Sequence, residues 1–402
     1  MKDNKKSLSF ILMIYLVSYG TVIAQLSKAY PHDSGIENDP NVYFVEKFDE
    51  GLEDIFARYS TVVNGEGMSL ETDCPDGLEG GKSLKITSIQ GINSGGYLYK
   101  HFPEGFDNEI YVRYYVKYPS ISKNYFHHEG VWIGGYNPPL EWPYPRAGIC
   151  GLGDTRFSIA YEIMDSNWIH PFTHIAPYIY WGGMRSFPDE ACWGNFMQCG
   201  NYSPPPATVL DEWTCVEIMV KLNDPLTDKN GELKTWINGV ETGHWAQGFP
   251  NGSWVWGNFF IDPEQEAFEG FLWRSQAEQL LNYIWIQFYH DHPEAPSSYM
   301  MYDNLVVASK YIGPVHVPSA GLVQKGSSSV KIYPNPADHF IFVQGLEPGA
   351  DFFILDKAQR TVFSGQAEQE NQKIEIPELA PGIYFFQTKN KSGSVFQKLI
   401  LM

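Results

Sequence analysis

From Val42 to about Gly313 the chain is a succession of short runs in which apolar and polar residues alternate. Examples are "KSLKITSI", "IYVRYYVKYP", "GVWIGG", "RFSIAYEIM", "APYIYWGG", "TCVEIMVKLN", "LKTWING", "YIWIQFYH" and "MYDNLVVAS", with Gly, Pro, Asn and Asp clustered between them. Successive side chains of a strand point to opposite faces, so this period of two, punctuated by turn residues, predicts half-buried β-strands. Long helical periodicity is missing. One short helix is predicted, in "WRSQAEQLL", where Ala277, Leu280 and Leu281 have helical spacing. Many short strands with one apolar face each bury those faces best as sheet on sheet, which predicts an all-β sandwich. The 402 residues, 43% of them hydrophobic, suffice for one large core and a smaller second one.

The alternation stops at "GPVHVPSAGLVQKGSSS", whose Pro, Gly and Ser content reads as a linker over residues 314–329. It resumes in shorter units, predicting a second, small all-β module at residues 330–402. The opening "MKDNKKSLSFILMIYLVSYGTVIAQ" has a basic start, an apolar run from about Leu8 to Val22 and small or branched residues before Gln25. These features predict a secretory signal, residues 1–24, cleaved after Ala24. No later run is long and apolar enough to span a bilayer, so no transmembrane segment is expected in the mature chain. The formal net charge is −19, from 28 Lys+Arg against 47 Asp+Glu, which argues against nucleic acid as a partner.

Five cysteines follow the signal: Cys74, Cys150, Cys192, Cys199 and Cys215. An odd number leaves at least one unpaired. Cys192 and Cys199 enclose a short segment that a disulfide would staple, whereas Cys215 reads as a strand residue. No CxxC pair offers a zinc site, and no cofactor is required by any motif. "HDH" at 290–292 reads as a turn with solvated histidines. A structural calcium ion is conceivable with Asp303 or Asp224 as ligand.

Two strands carry an unusual outer face. In "YIWIQFYH", Ile284, Ile286, Phe288 and His290 form the core side, leaving Tyr283, Trp285, Gln287 and Tyr289 on the other. In "IYVRYYVKYP", Val112, Tyr114 and Val116 are core, and Tyr111, Arg113, Tyr115 and Lys117 face away. Flat aromatic rings suit the apolar faces of sugars, and Arg, Lys or Gln bind their hydroxyls or carboxylates, so the two faces are expected to share one glycan groove. The same faces would also arise from packing beneath a long loop. Tyr178 and Tyr180 lie on one face of a third strand, His127 and His128 precede a fourth, and Trp245, Trp254 and Trp256 are expected in a loop that walls the groove.

Two family resemblances rest on these residues. "VKIYPNPADHFIFV", "DKAQRTVFSG", "LAPGIYFFQT" and "FQKLIL" resemble the C-terminal sorting domain of the type IX secretion system of Bacteroidetes. That implies export by the secretion machinery, and a secreted or outer-membrane-attached surface protein. The succession from "IYVRYYVKYP" through "HHEGVWIGG", "RFSIAYEIM", "PYIYWGGM" and "NGELKTWING" to "MYDNLVVASKYIG" resembles the concanavalin-A-like jelly roll of the polysaccharide lyases, most nearly family 14, over residues 25–313.

The second resemblance implies β-elimination on an acidic, uronate-containing polysaccharide. That reaction needs a group to neutralise the carboxylate, a base for the adjacent proton and an acid for the leaving oxygen. Arg113 or Gln287 suits the first role, Tyr115 beside Arg113 and Lys117 the second, and Tyr178 or Tyr180 the third. His127 or His128 stands where the family carries a lysine, as base or carboxylate partner. Arg156 and Ser158 match the family's Ser and Arg strand in reversed order. Tyr111, Lys117, Trp285, Tyr289 and Trp254 are the expected substrate contacts. Two further classes stay open: a non-catalytic glycan-binding protein, and a glycoside hydrolase. The hydrolase ranks lower because Glu162 and Asp165 are three apart rather than on one strand face.

Overall fold

The computed structural model describes residues 25–402 apart from 79, 123–126, 138–146, 151–154, 164–174, 200–208, 291–293, 317–329, 356–360, 378, 391–392 and 402. The expected signal sequence and nearly all of the expected linker therefore lie outside the described residues. The chain divides into two compact units, residues 1–317 and 318–402.

The first unit is a jelly-roll sandwich. In chain order its strands are β1 (Val42–Glu46), β2 (Thr61–Val63), β3 (Met68–Glu71), β4 (Ser83–Ser88), β5 (Gly95–Phe106), β6 (Glu109–Lys117), β7 (His128–Tyr136), β8 (Arg156–Ile163) and β9 (Ile175–Tyr180). There follow β10 (Asn195–Phe196), β11 (Trp213–Lys221), β12 (Glu232–Ile237), β13 (Val240–Trp245), β14 (Gly252–Val255), β15 (Asn258–Ile261), β16 (Leu281–Tyr289) and β17 (Ser298–Ala308). One sheet runs β13-β12-β11-β6-β17-β4-β3, with β1 also on β17. The other runs β10-β9-β8-β7-β16-β5-β2, and β14-β15 is a separate hairpin. The inner faces meet in one core that includes Val112, Tyr114, Ile133, Ile159, Ile218, Ile284, Ile286 and Phe288, as the alternation requires.

The outer face of the eight-stranded sheet is covered by the chain's own beginning. Short 3₁₀ turns at Leu26–Ala29, Pro31–Asp33 and Ile36–Asn38 bring Leu26 and Ile36 onto Val306, Ala308 and Ile312, with Tyr111 packed beside them. Burying those apolar side chains stabilises the cover by about 1.5–3 kcal/mol each, enough to hold short turns that have little helical stability of their own.

Three expectations are corrected. No helix forms in 273–281, where 273–280 are turn and coil and Leu281 opens β16; the one α-helix among the described residues is Leu52–Ala57, which opens after Gly51 with Glu53 and Asp54 in its first turn, where acidic side chains favour the helix dipole. The disulfide joins Cys150 to Cys192, while Cys199 is a buried free thiol, as is Cys215 in β11. Cys199 packs inside the core against Tyr161 instead. Finally, His290 is buried at the end of the inner face of β16 rather than solvated, and the rest of "HDH" lies outside the described residues.

The second unit pairs a three-stranded sheet with a four-stranded one. Val330, Ile341, Val343, Phe352, Ile354, Ile374, Phe386, Leu399 and Leu401 fill its core. The Asn335 side chain of "YPNP" accepts a hydrogen bond from the Ile400 N–H at 2.9 Å, so the motif is tied to the last strand.

Candidate functional site

The outer face of the seven-stranded sheet is the aromatic surface. β16 lies between β5 and β7, in a register that sets Tyr283 opposite Gly134, Trp285 opposite Trp132 and Tyr99, Gln287 opposite Gly130 and Tyr97, and Tyr289 opposite His128. β8 and β9 extend the same face with Ser158 opposite Tyr180 and Ala160 opposite Tyr178. Tyr99, Trp132, Tyr178, Tyr180, Tyr283 and Trp285 form one buried cluster. Trp132 lies 5.7 Å from Trp285, 6.0 Å from Tyr178 and 6.3 Å from Tyr180, ring centre to ring centre.

Glycines let this happen. A Cβ at Gly134 would lie 2.4 Å from the Tyr283 hydroxyl oxygen, so "GVWIGG" carries glycine where a neighbouring ring lies across the strand. Gly130, at φ +104°, donates its N–H at 2.8 Å to the Tyr302 hydroxyl, which reaches across the core from β17 and donates in turn to the Gln287 carbonyl. One buried phenol thereby pins the two site strands two residues from their His128–Tyr289 pairing.

Polar chemistry gathers at one end of the face. His128 Nδ1 lies 3.2 Å from Glu162 Oε2. Its ring is 5.4 Å from Tyr178 and stacks 6.3 Å from Tyr289, and His127 meets Tyr289 edge-on at 5.7 Å. Glu162 is almost wholly buried, and that burial holds its carboxyl well above the ordinary range. The Tyr178 and Tyr180 hydroxyls are 2.9 Å apart, and Tyr180 donates to the Trp193 carbonyl at 2.8 Å. Tyr180's proton is committed to Trp193, so Tyr178 donates to Tyr180. Burial pushes Tyr180 up to about 12 and Tyr178 well above its usual value, leaving both as neutral phenols.

Access is uneven. Trp132, Trp285 and Tyr178 are 1%, 5% and 7% exposed, whereas the His128 side chain is 24% exposed. His127 is exposed, and Tyr97 and Tyr289 are half-buried. The mouth of the site is therefore the His127–His128–Tyr289 end.

The structure gathers His127, His128, Tyr178, Tyr180, Trp285, Gln287 and Tyr289 on this face. It does not bring Arg113, Tyr115, Tyr111 or Lys117 there, because β6 belongs to the other sheet, between β11 and β17. Arg113 is fully buried and ion-paired with Asp33 of the N-terminal cover. Tyr115 accepts the Val315 N–H at 2.9 Å, and burial raises its pKa despite the nearby guanidinium, so it holds no ready phenolate. Tyr111 packs on Trp236 and Tyr311, and Lys117 bonds Asp73 at 2.6 Å. Trp254 lies in the β14-β15 hairpin against Phe259 and Phe268, with its Nε1 3.3 Å from Glu269. Trp245 is a buried strand residue of β13.

Sequence reasoning missed Trp132, Tyr97 and Tyr99 as site residues and weighed Glu162 only for hydrolysis. Alternation along "HHEGVWIGG" and "RFSIAYEIM" could have found Trp132 and Glu162, since each shares a face with His128 or Ser158. Asp165 lies outside the described residues. Arg156 and Ser158 are both buried on the same face. Asp303 is buried and accepts the Asn304 N–H at 2.7 Å, and burial pushes it up to about 8, whereas Asp224 lies on an exposed turn. Among the described residues no group of three or more His, Cys, Asp or Glu is arranged to hold a metal ion, and no helix is long and apolar enough to cross a membrane.

No curated protein matches the chain in sequence. Among solved structures it is similar to an alginate lyase mutant in complex with an alginate trisaccharide, at 15% identity over 66% of this chain and 94% of that one, TM-score 0.40. An alginate lyase from a Chlorella virus matches at 15% identity over 67% and 100%, TM-score 0.40. The exoplasmic domain of VIP36, in a Ca²⁺- and mannobiose-bound form, matches at 9% identity over 65% and 88%, TM-score 0.32. Likenesses this distant carry no argument about reaction or ligand. Residues 331–402 match the family described as the secretion system C-terminal sorting domain; together with the "YPNP" tie and the two-sheet terminal unit, this makes the last part of the chain a type IX secretion sorting domain.

Proposed function

We propose that the first unit is the exported cargo of that sorting domain and acts on an acidic polysaccharide by β-elimination at the outer face of the seven-stranded sheet. The observation that carries this reading is the His128–Glu162 pair, set 5.4 Å from Tyr178 at the accessible end of an aromatic floor. With Nδ1–H donating to Glu162, His128 Nε2 is the lone pair that takes the C5 proton of a uronate. Glu162, whose burial favours its protonated form, lets the pair hold that proton. The Gln287 amide, which makes no side-chain hydrogen bond among the described residues, donates to the C5 carboxylate and makes the adjacent proton more acidic. As the C4–O bond breaks and the C4–C5 double bond forms, Tyr178 protonates the leaving oxygen. Tyr178 then recovers a proton from solvent, with Tyr180 holding its ring in place. Tyr289 and His127 form the sugar platform at the mouth.

The test is to incubate the secreted chain with alginates, glucuronans, pectins and glycosaminoglycans and follow the ultraviolet absorbance of the unsaturated uronate. A rise with one polymer that falls by roughly 10²-fold or more in His128→Ala and in Tyr178→Phe is expected, the usual scale for a general acid or base. A flat trace across the panel overturns the reading. The burial of Trp132, Trp285 and Tyr178 favours a second one: glycan binding at the His127–Tyr289 mouth without cleavage, seen as gel retardation by a polymer that is not degraded.

A further inference from the structure

The outer face of the seven-stranded sheet continues past its edge strand. β10 meets β15 of the separate hairpin through a parallel bridge between Met197 and Phe259, with the Gln198 N–H on the Phe259 carbonyl at 3.0 Å. The Phe196 N–H lies 3.4 Å from Asn258 Oδ1, and the Phe196 ring packs on Tyr178 at 4.5 Å. Because β10 and β15 run the same way there, the residues that lead into them lie at one end. Those residues are Trp193, just before β10, and Trp256, just before β15, and they are 45% and 56% exposed. Phe187 links them: it packs on Gly257, where a Cβ would lie 2.6 Å from its ring, and its N–H bonds the Ala191 carbonyl at 2.9 Å.

Both exposed rings are fixed. The Trp193 indole N–H donates to Asp189 Oδ2 at 2.9 Å, and Gly148 lies against the far edge of the ring. Gly148 is itself held by its N–H on the Cys192 carbonyl at 2.9 Å and by the Cys150–Cys192 disulfide. The Trp193 carbonyl accepts from Tyr180, so the loop that carries the ring is tied to the site. Trp256 is the first central residue of the two-residue turn between Val255 and Asn258, at φ +49°, followed by Gly257 at +75°. Such a turn favours asparagine at that position, and a bulky side chain at positive φ is strained. Strain of this kind is kept where function needs the residue.

We infer, on the reading of the outer face as a polysaccharide site, that Trp193 and Trp256 form a flanking platform for uncharged sugar residues next to the bound uronate. Flat rings suit the apolar faces of sugars, and rings fixed before binding lose little freedom on contact. The charge around them excludes a second uronate. Asp189 and Glu190 are exposed on the loop that carries Trp193, and Arg185 of the same loop is already paired with Glu269 at 2.7 Å. A carboxylate there would meet like charge without a free cation on that loop. The substrate class therefore narrows from homopolyuronates to polymers in which a uronate alternates with an uncharged sugar.

The test compares the full secreted chain with Trp193→Ala and Trp256→Asn on a homopolyuronate and on an unsulfated polymer alternating uronate with N-acetylhexosamine. Turnover is followed by ultraviolet absorbance and binding by gel retardation. Trp193→Ala keeps the main-chain carbonyl that Tyr180 uses, and Trp256→Asn gives the turn its favoured residue and raises the melting temperature, so lost binding is not lost folding. The parent is expected to prefer the alternating polymer, and each variant to weaken it by about tenfold. That loss falls on KM rather than kcat, the mark of uniform binding, and shrinks as the oligosaccharide is shortened. Parental KM and retardation in both variants overturn the inference and leave the eliminative reading standing; a parent that prefers the homopolyuronate overturns it as well. Retardation without turnover refutes the eliminative reading alone, and the variants are then judged by retardation. A parent that neither cleaves nor binds either polymer overturns both.

Discussion

Asp33→Ala distinguishes a structural Arg113 from a catalytic one. Arg113 and Asp33 are 0% and 1% exposed, and Asp33 Oδ2 takes both an Arg113 Nη2 hydrogen bond and one from Asn304 Nδ2 at 2.7 Å. Removing the carboxylate leaves a buried guanidinium whose one remaining hydrogen-bond acceptor among the described residues is the Gly313 carbonyl at 3.4 Å, and it strips Asn304 of an acceptor. Breaking a buried pair typically costs about 3–5 kcal/mol, and an orphaned neutral donor about 1–3 more. Even the lower bound is a large share of the 5–15 kcal/mol that holds a domain together. In a unit this size it lowers the melting temperature by about 10 °C. Guanidinium titration of the variant against the parent measures the change. Replacing both partners by apolar residues, Arg113→Met with Asp33→Leu, recovers part of the loss, because the buried guanidinium is gone, while Asn304 still lacks its acceptor and Glu217 loses the cation opposite it. The reasoning is refuted if Asp33→Ala unfolds within about 0.5 kcal/mol of the parent while polysaccharide turnover disappears, since that would return Arg113 to the chemistry.

Stability declines as pH rises. Burial raises Glu217 from 4.5 to about 7 and Asp303 from 3.8 to about 8, so each stabilises the fold fully below its unfolded value and progressively less as pH climbs through the folded one. For Glu217 alone this amounts to about 3 kcal/mol between pH 4.5 and 7; a melting temperature that rises over that window would contradict it. Reduction of Cys150–Cys192, 42 residues apart, removes up to about 4 kcal/mol by loop entropy. Peptide mapping under non-reducing conditions should recover that pair with Cys199 alkylated, and a Cys192–Cys199 peptide would rule it out. Gly134→Ala forces the new methyl against the Phe157 carbonyl and the Tyr283 hydroxyl, costing about 1–3 kcal/mol and shifting the near-ultraviolet signal of the aromatic cluster; an unchanged spectrum with parental stability would mean the strand gives way without cost.

Much of the fold was legible because strand alternation is local. The core residues of β16, Ile284, Ile286 and Phe288, and the outward set of Tyr283, Trp285, Gln287 and Tyr289 follow from a period of two, and so do Tyr178 and Tyr180 on their own strand. The terminal module follows from the same rule together with "YPNP". Alternation says which side chains share a face of one strand, but not which sheet that strand joins. Arg113 and Tyr115 have the same local pattern as Gln287 and Tyr289, yet β6 pairs with β11 and β17 whereas β16 pairs with β5 and β7. One outward face is closed by the N-terminal turns and the other carries the His128–Glu162 pair. Long-range pairing likewise chose Cys150 over the nearer Cys199, because Cys199 is held in the core and a disulfide needs two sulfurs brought within bonding distance. The sequence by itself determined the faces; the tertiary structure decided which of them meet, because pairing between strands far apart in the chain depends on the packing of the whole sandwich.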